Sequence, residues 1–188
     1  MKTLIITAHP SKFGFTHRIA ERYAKGAEEK GNEVEILDLY SKDNQQNFLE
    51  FENIKEIPAD PSVNVMQQKI SASNELVFVF PLWWFAEPAI MKNFWDKNMT
   101  ARFAYQYGSN GRPQGLLKGK TAKVFVTADG PKIFHYLLLN PVRKIWKTAR
   151  LGFCGIKLES YMLIDEMLKR DVQDRERVLD EIYNIAKK

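Results

Sequence analysis

Glu75-Leu76-Val77-Phe78-Val79-Phe80-Pro81 runs directly into Leu82-Trp83-Trp84-Phe85-Ala86-Glu87-Pro88. The first seven residues are almost continuously apolar, which is the pattern of a central strand covered on both faces by helices. From Pro88 to about Met99 the apolar positions Ile90, Phe94 and Trp95 take helical spacing. A buried strand, a stiff aromatic loop and a helix in that order form half of a crossover unit.

The flanking sequence repeats this alternation. Lys2 to Ala8 is a short β-rich run, and Phe15 to Lys30 carries Phe15, Ile19, Tyr23 and Ala27 on one helical face. Gly31-Asn32 supplies the helix stop, and Glu33 to Tyr40 reads as a strand with an edge-like mixture of residues. Residues 41–59 show no period and form an excursion. Asp60-Pro61 starts a helix to about Ser73, with an acceptor at the N-cap and proline in the first turn. Residues 102–119 read as a long loop. Ala122 to Thr127 is the next buried strand, and Asn140-Pro141 opens a helix carrying Val142, Ile145, Trp146 and Ala149. Lys157 to Ile164 is a fifth strand, and Asp174 to Lys187 a closing amphipathic helix. Five strands alternating with five helices predict one three-layer α/β domain over residues 1–188, built on a parallel sheet.

Composition narrows the function classes. Hydrophobic residues are 45% and charged residues 27% of the 188, a globular balance. The net charge, 28 − 23 = +5, is dispersed along the chain, so no nucleic-acid arm or polybasic tail is present and small anionic ligands suit the excess better. The single cysteine, Cys154, excludes an intrachain disulfide and a CxxC site, and no metal is expected. The longest charge-free apolar stretch, Leu76 to Ala86, has 11 residues. A membrane-spanning helix needs about 20. The N-terminal apolar run is too short for a signal-peptide core, so a soluble cytoplasmic protein is expected.

Ligands of open parallel sheets bind beyond the carboxyl ends of the strands, and three loops there carry unusual residues. In His9-Pro10-Ser11-Lys12-Phe13-Gly14-Phe15-Thr16 a helix N-terminus can take a phosphate, with close backbone approach at Gly14, a hydroxyl at Thr16 and positive charge at Lys12 and Arg18. The loop matches neither GxxxxGK[ST] nor GxGxxG, and it reads equally as a strand–helix turn capped by Thr16. In the second loop, Pro81, Leu82, Trp83, Trp84 and Phe85 either pack beneath a neighbouring loop, form a subunit contact, or wall a flat ligand. The third, Thr127-Ala128-Asp129-Gly130-Pro131, is followed by His135 and Tyr136, which can donate protons. A lone His is more often structural.

Together these residues resemble the flavodoxin-like NAD(P)H:quinone oxidoreductases. The specific segment is Phe80-Pro81-Leu82-Trp83-Trp84-Phe85-Ala86-Glu87-Pro88-Ala89-Ile90-Met91-Lys92. Collinear matches are Leu4 to His9 with Phe15, Phe103 to Tyr107, Leu117-Lys118-Gly119-Lys120 and Phe153-Cys154-Gly155. The resemblance implies a flavodoxin-like doubly wound sheet of order 2-1-3-4-5, a bound flavin, and a homodimer with active sites at the subunit interface. It implies that His9, Ser11, Gly14, Phe15 and Thr16 hold the phosphate and ribityl side. Pro81 to Phe85 would lie along the ring, and Thr127, Ala128, Asp129 and Gly130 would close its other edge. Tyr105 and Tyr107 would line the quinone pocket from the partner; the family's pocket Tyr and His after the third loop have no clear match, and His135 or Tyr136 would stand in for one of them. NAD(P)H would pass a hydride to the flavin and leave before the quinone or a similar acceptor enters.

Departures from the family pattern are Gly14, where Ser is common, and Ala128-Asp129-Gly130, where Thr-Gly-Gly is common. An ionised Asp129 at the ring would lower the flavin potential, unless it points to solvent. The short C-terminus favours FMN, with FAD the alternative. The resemblance leaves two further roles open, a one-electron flavodoxin carrier and a regulatory subunit of a potassium efflux system.

Overall fold

The computed structural model describes residues 1–53, 59–138 and 140–188. Residues 54–58, within the excursion expected over 41–59, lie outside the described residues. The elements are β1 (Lys2–Thr7), α1 (Phe15–Glu29), β2 (Glu33–Asp38), α2 (Pro61–Ala72), β3 (Glu75–Pro81) and α3 (Ala89–Asn98). A small hairpin of β4 (Tyr105–Tyr107) and β5 (Pro113–Gly115) follows, then β6 (Thr121–Thr127), α4 (Lys132–Leu137) and α5 (Pro141–Lys144). A π-helical stretch, Ile145–Gly152, continues α5, and β7 (Lys157–Ile164) and α6 (Val172–Ala186) complete the chain.

The main sheet is parallel, in the order β2-β1-β3-β6-β7. Counting only its own strands, this is the expected order 2-1-3-4-5. Alternation along the central strands builds two cores. Leu76, Phe78 and Phe80 of β3 join Leu4, Ile6, Val124 and Val126 against α2, α3 and α5, while Val77 and Val79 join Ile5 and Phe125 against α1 and α6. Every β3 residue is therefore buried, which is why its sequence shows no alternation. Asp60 caps α2 by accepting from the Ser62 N–H at 2.9 Å, and it also takes Lys97 Nζ at 2.6 Å.

At the amino ends of the strands, away from the ligand edge, Glu75 is buried but not unpaired. It accepts from Thr3 Oγ1 at 3.1 Å, Tyr23 OH at 2.9 Å and Lys123 Nζ at 2.5 Å. A buried carboxylate needs partners of this kind.

Three differences from the expected organisation appear between residues 102 and 152. The segment 102–119 contains the β4–β5 hairpin, registered Tyr105↔Gly115 and Tyr107↔Pro113. It docks on the Phe153-Cys154-Gly155 segment through Leu117 N–H to the Cys154 carbonyl at 2.9 Å. A Cβ at Gly115 would fall 2.2 Å from the Gly155 nitrogen, so no side chain fits there. α4 is an additional short helix, and the helix expected after Pro141 turns π-helical at Ile145.

Candidate active site

The loops after β1, β3 and β6 lie side by side at the carboxyl edge of the sheet. The Ala8 N–H bonds the Val79 carbonyl at 3.1 Å, the Leu82 N–H bonds the Thr127 carbonyl at 2.7 Å, and the Ala128 N–H bonds the Ile164 carbonyl at 2.8 Å. These links carry the sheet's register past its last residues and place the three loops as one rim.

The first loop leaves α1 uncapped. Gly14 occupies the N-cap with no side-chain hydrogen bond, and the first turn has no acidic residue. The first-turn N–H groups therefore lack a side-chain acceptor, a condition that suits an anion. Thr16 is buried and does not cap the helix. His9 folds over the loop: Ser11 N–H donates to His9 Nδ1 at 3.0 Å, and His17 Nε2 lies 3.2 Å from the His9 carbonyl. A Cβ at Gly14 would meet His9 Nδ1 at 2.7 Å. The imidazole thus fills the space a serine side chain would need, which explains the glycine. Lys12 is exposed, whereas Arg18 pairs with Glu176 on α6 and leans over the Phe15 ring, so its charge is already committed.

The second loop is a tight turn. Trp83 and Ala86 exchange both backbone hydrogen bonds, at 2.9 and 3.0 Å, across Trp84 (φ 52°) and Phe85 (φ 58°). Two successive left-handed residues define a type I′ turn, whose usual occupants are Asn-Gly. Bulky side chains in this conformation cost roughly 1–2 kcal/mol each. The N–H groups of Trp84 and Phe85 have no acceptor among the described residues, and Trp84 is fully exposed. Strain, exposure and unused donors at one rim indicate a site. The turn is anchored by Glu87, which forms a buried ion pair with Arg150 of the π-helical stretch, and Arg150 lies 4.8 Å over Trp146.

The third loop presents Asp129 and Gly130 at the surface, and Asp129 has no ion-pair partner among the described residues. His135 stands on α4, 4% exposed, with its ring 5.1 Å from Phe85. Burial lowers its pKa, with Asp165 pulling the other way, so the imidazole is neutral near pH 7. Asp165, at the end of β7, accepts the Lys132 N–H at 2.9 Å and pairs with Arg170 at 3.0 Å. These bonds hold the start of α4 and with it His135. Sequence reading missed Asp165, although an acidic residue directly after a strand lies on the ligand edge by position.

The structure therefore brings His9, Ser11, Gly14, Phe15, Thr16, Pro81 to Phe85, Thr127 to Gly130 and His135 to one edge. Tyr105 and Tyr107 are apart from them. Tyr105 packs on Phe153 at 4.9 Å and on Tyr107 at 6.0 Å, and neither ring contacts the aromatic turn of its own chain among the described residues. Buried Cys154 has its thiol pushed up to about 11 by desolvation and takes no part in the site.

An uncapped helix start beside an aromatic turn with free N–H donors, beyond a 2-1-3-4-5 parallel sheet, is the arrangement of a flavodoxin-like protein. Residues 1–186 match the family described as flavodoxin-like fold, and the chain belongs to that family.

The chain is 28% identical over 181 residues to NAD(P)H dehydrogenase (quinone) 1 of Cavia porcellus, a match covering 84% of this chain and 66% of that protein. It is likewise 28% identical over 188 residues to an uncharacterized NAD(P)H oxidoreductase of Haemophilus influenzae, covering 96% of this chain and 91% of that one. Among solved structures, the NAD(P)H:quinone oxidoreductase of Methanothermobacter marburgensis superposes with a TM-score of 0.83 at 25% identity, covering 100% of this chain and 96% of that one. An FMN-dependent NADH-azoreductase of Bacillus anthracis, solved with FMN, shares the fold with a TM-score of 0.77 at 21% identity, covering 98% and 97% of the two chains. No helix among the described residues is long and apolar enough to cross a membrane.

Proposed function

We propose that this chain is a flavin-dependent NAD(P)H oxidoreductase that binds FMN and reduces a quinone or similar two-electron acceptor. The observation that carries the reading is the Trp83–Ala86 turn, strained and exposed, whose Trp84 and Phe85 N–H groups lack an acceptor among the described residues and which lies at the same sheet edge as the uncapped start of α1. The named relatives support it.

The residues present fit a flavin. The first-turn N–H groups of α1 would hold the phosphate, with His9 closing the loop above it. Trp83, Trp84 and Phe85 would lie along the ring and offer backbone donors to its polar edge, and Asp129 and Gly130 would close the opposite end. When bound, the flavin supplies hydride acceptance from NAD(P)H and two-electron delivery to the acceptor. The chain's own part is to orient the rings and exclude water, and close alignment of reactants provides much of the barrier reduction. His135, held neutral under Phe85, is the titratable group placed to move a proton to or from the acceptor through an imidazole nitrogen.

Tyr105 and Tyr107 would serve a neighbouring subunit in a homodimer. Exposed apolar side chains at Trp84, Phe134, Leu137 and Leu138 support that assembly. The test is mass spectrometry of the small molecule released from purified, reconstituted protein. FMN at one per chain is expected; a colourless protein that takes up neither FMN nor FAD overturns the proposal.

A further inference from the structure

A second depression lies on the open edge of the sheet, beside the aromatic rim. It has a volume of about 470 Å³ and runs along β7 between α4 and the start of α5 on one side and α6 on the other. β7 is the last strand of the sheet, so no strand covers this edge among the described residues. Sites for small organic molecules commonly span about 300–1,000 Å³.

Its wall is short of hydrogen bonds. Seven buried side-chain polar atoms lack a partner among the described residues, and three of them, His135 Nδ1, Asn140 Oδ1 and Tyr161 OH, belong to residues lining this one cleft. Buried polar atoms are ordinarily satisfied, and a cluster of exceptions calls for a specific cause. The Asn140 amide and His135 imidazole can turn toward an occupant about χ2, a soft torsion. Burial keeps the Tyr161 phenol protonated, so it is a donor.

The charge is equally uncommitted. Arg143 lines the cleft, is exposed, and has no carboxylate partner among the described residues, while its field acts on the Tyr161 hydroxyl. Lys132 holds Asp165 only at 3.8 Å. Glu181 on the opposite wall offers an acceptor, and Met162, Leu163 and Ile185 supply apolar surface.

We propose that this edge cleft binds a small organic anion with a flat or apolar body, its phosphate or carboxylate set against the exposed Arg143, with the Asn140 and His135 side chains turning to meet the occupant. The anion is either the phosphate-bearing end of NADPH or a free aryl anion. His135 forms a wall shared with the aromatic turn through Phe85, so an occupant that orders His135 is felt at the redox site. The binding itself does not depend on the flavin reading.

The experiment is titration calorimetry on the full chain with phenyl phosphate and benzoate, and with benzamide as the neutral control. The anions bind one per chain and benzamide does not. Arg143→Gln weakens them about tenfold or more, the loss expected for a charge-assisted contact. Competition by adenosine 2′,5′-bisphosphate, with a higher KM for NADPH and unchanged kcat in Arg143→Gln, assigns the anion to NADPH. Absence of competition assigns it to a free ligand, and both results retain the cleft. No saturable binding in the millimolar range, or equal affinity in the parent and Arg143→Gln, overturns the proposal. A chain that binds phenyl phosphate but takes up no flavin would refute the redox reading alone.

Discussion

Replacing Glu87 by Gln tests the anchor beneath the aromatic turn. Glu87 and Arg150 pair with side chains only 7% and 11% exposed, and the guanidinium lies 4.8 Å from the Trp146 ring centre and 5.8 Å from that of Trp95. Removing one partner of a buried ion pair costs about 3–5 kcal/mol, because the remaining charge is left in an apolar setting. Glutamine keeps a carbonyl acceptor, and the two indoles retain cation–π attraction of about 0.5–2 kcal/mol. The expected loss is therefore about 2–3 kcal/mol. For a chain of this size that lowers the melting temperature by roughly 5–10 °C. Urea and thermal unfolding followed by tryptophan fluorescence read it, with Trp95 and Trp146 as reporters beside the lesion. The double variant Glu87→Leu/Arg150→Met recovers most of the stability, since neither charge is then buried. Flavin affinity falls in Glu87→Gln, since the turn loses its tether. A cost of only about 0–1 kcal/mol, the value of an exposed pair, or a double variant as unstable as the sum of the singles, would refute the reasoning.

Three further outcomes follow from the geometry. His135 has a lowered folded pKa, so the stability it contributes is full above the unfolded value of about 6.5 and is lost as pH falls through the folded one. His135→Phe should flatten that acid limb in urea midpoints measured between about pH 7.5 and pH 5, and an unchanged slope contradicts the burial argument. Trp84→Asn relieves left-handed strain at a side chain with no packing to lose, so flavin-free protein should gain roughly 1 kcal/mol while flavin affinity drops; destabilisation would count against the turn assignment. Cys154, with its thiol pushed up to about 11, should resist iodoacetamide in the native protein and react in urea. Rapid native alkylation would show that the segment opens.

The centre of the sheet was legible because β1, β3 and β6 are buried on both faces. β3 occupies the residues its apolar run marks, β7 spans the expected Lys157 to Ile164, and α2 begins at its Asp60 cap. The β4–β5 hairpin was not legible: its strands are three residues long, and Gly115 is there to let backbone approach Cys154 and Gly155, a tertiary demand with no local pattern. The π-helical stretch reads as ordinary helix because Val142, Ile145, Trp146 and Ala149 suit an α-helical face equally well. α4 was hidden by exposed apolar residues, which show no amphipathic period.

In the site, residue positions carried over better than their interactions. The three loops meet where the parallel topology sends them, yet Arg18 is turned toward Glu176 by its neighbour α6. The Gly14 departure becomes intelligible only once the His9 imidazole is seen in the space of its missing Cβ. Asp165 acts through the backbone of Lys132, a link between segments far apart in sequence.

In the proposed function this chain takes electrons from a nicotinamide nucleotide onto a flavin and delivers them in pairs to an acceptor. Anaerobic titration of the FMN-loaded protein with NADPH and NADH, followed spectrally, tests it most directly. Loss of the yellow absorbance at one equivalent of nucleotide per flavin, and its return on adding a quinone, is the expected result. A flavin that stays oxidised with both nucleotides, or that halts at the one-electron level, would contradict it.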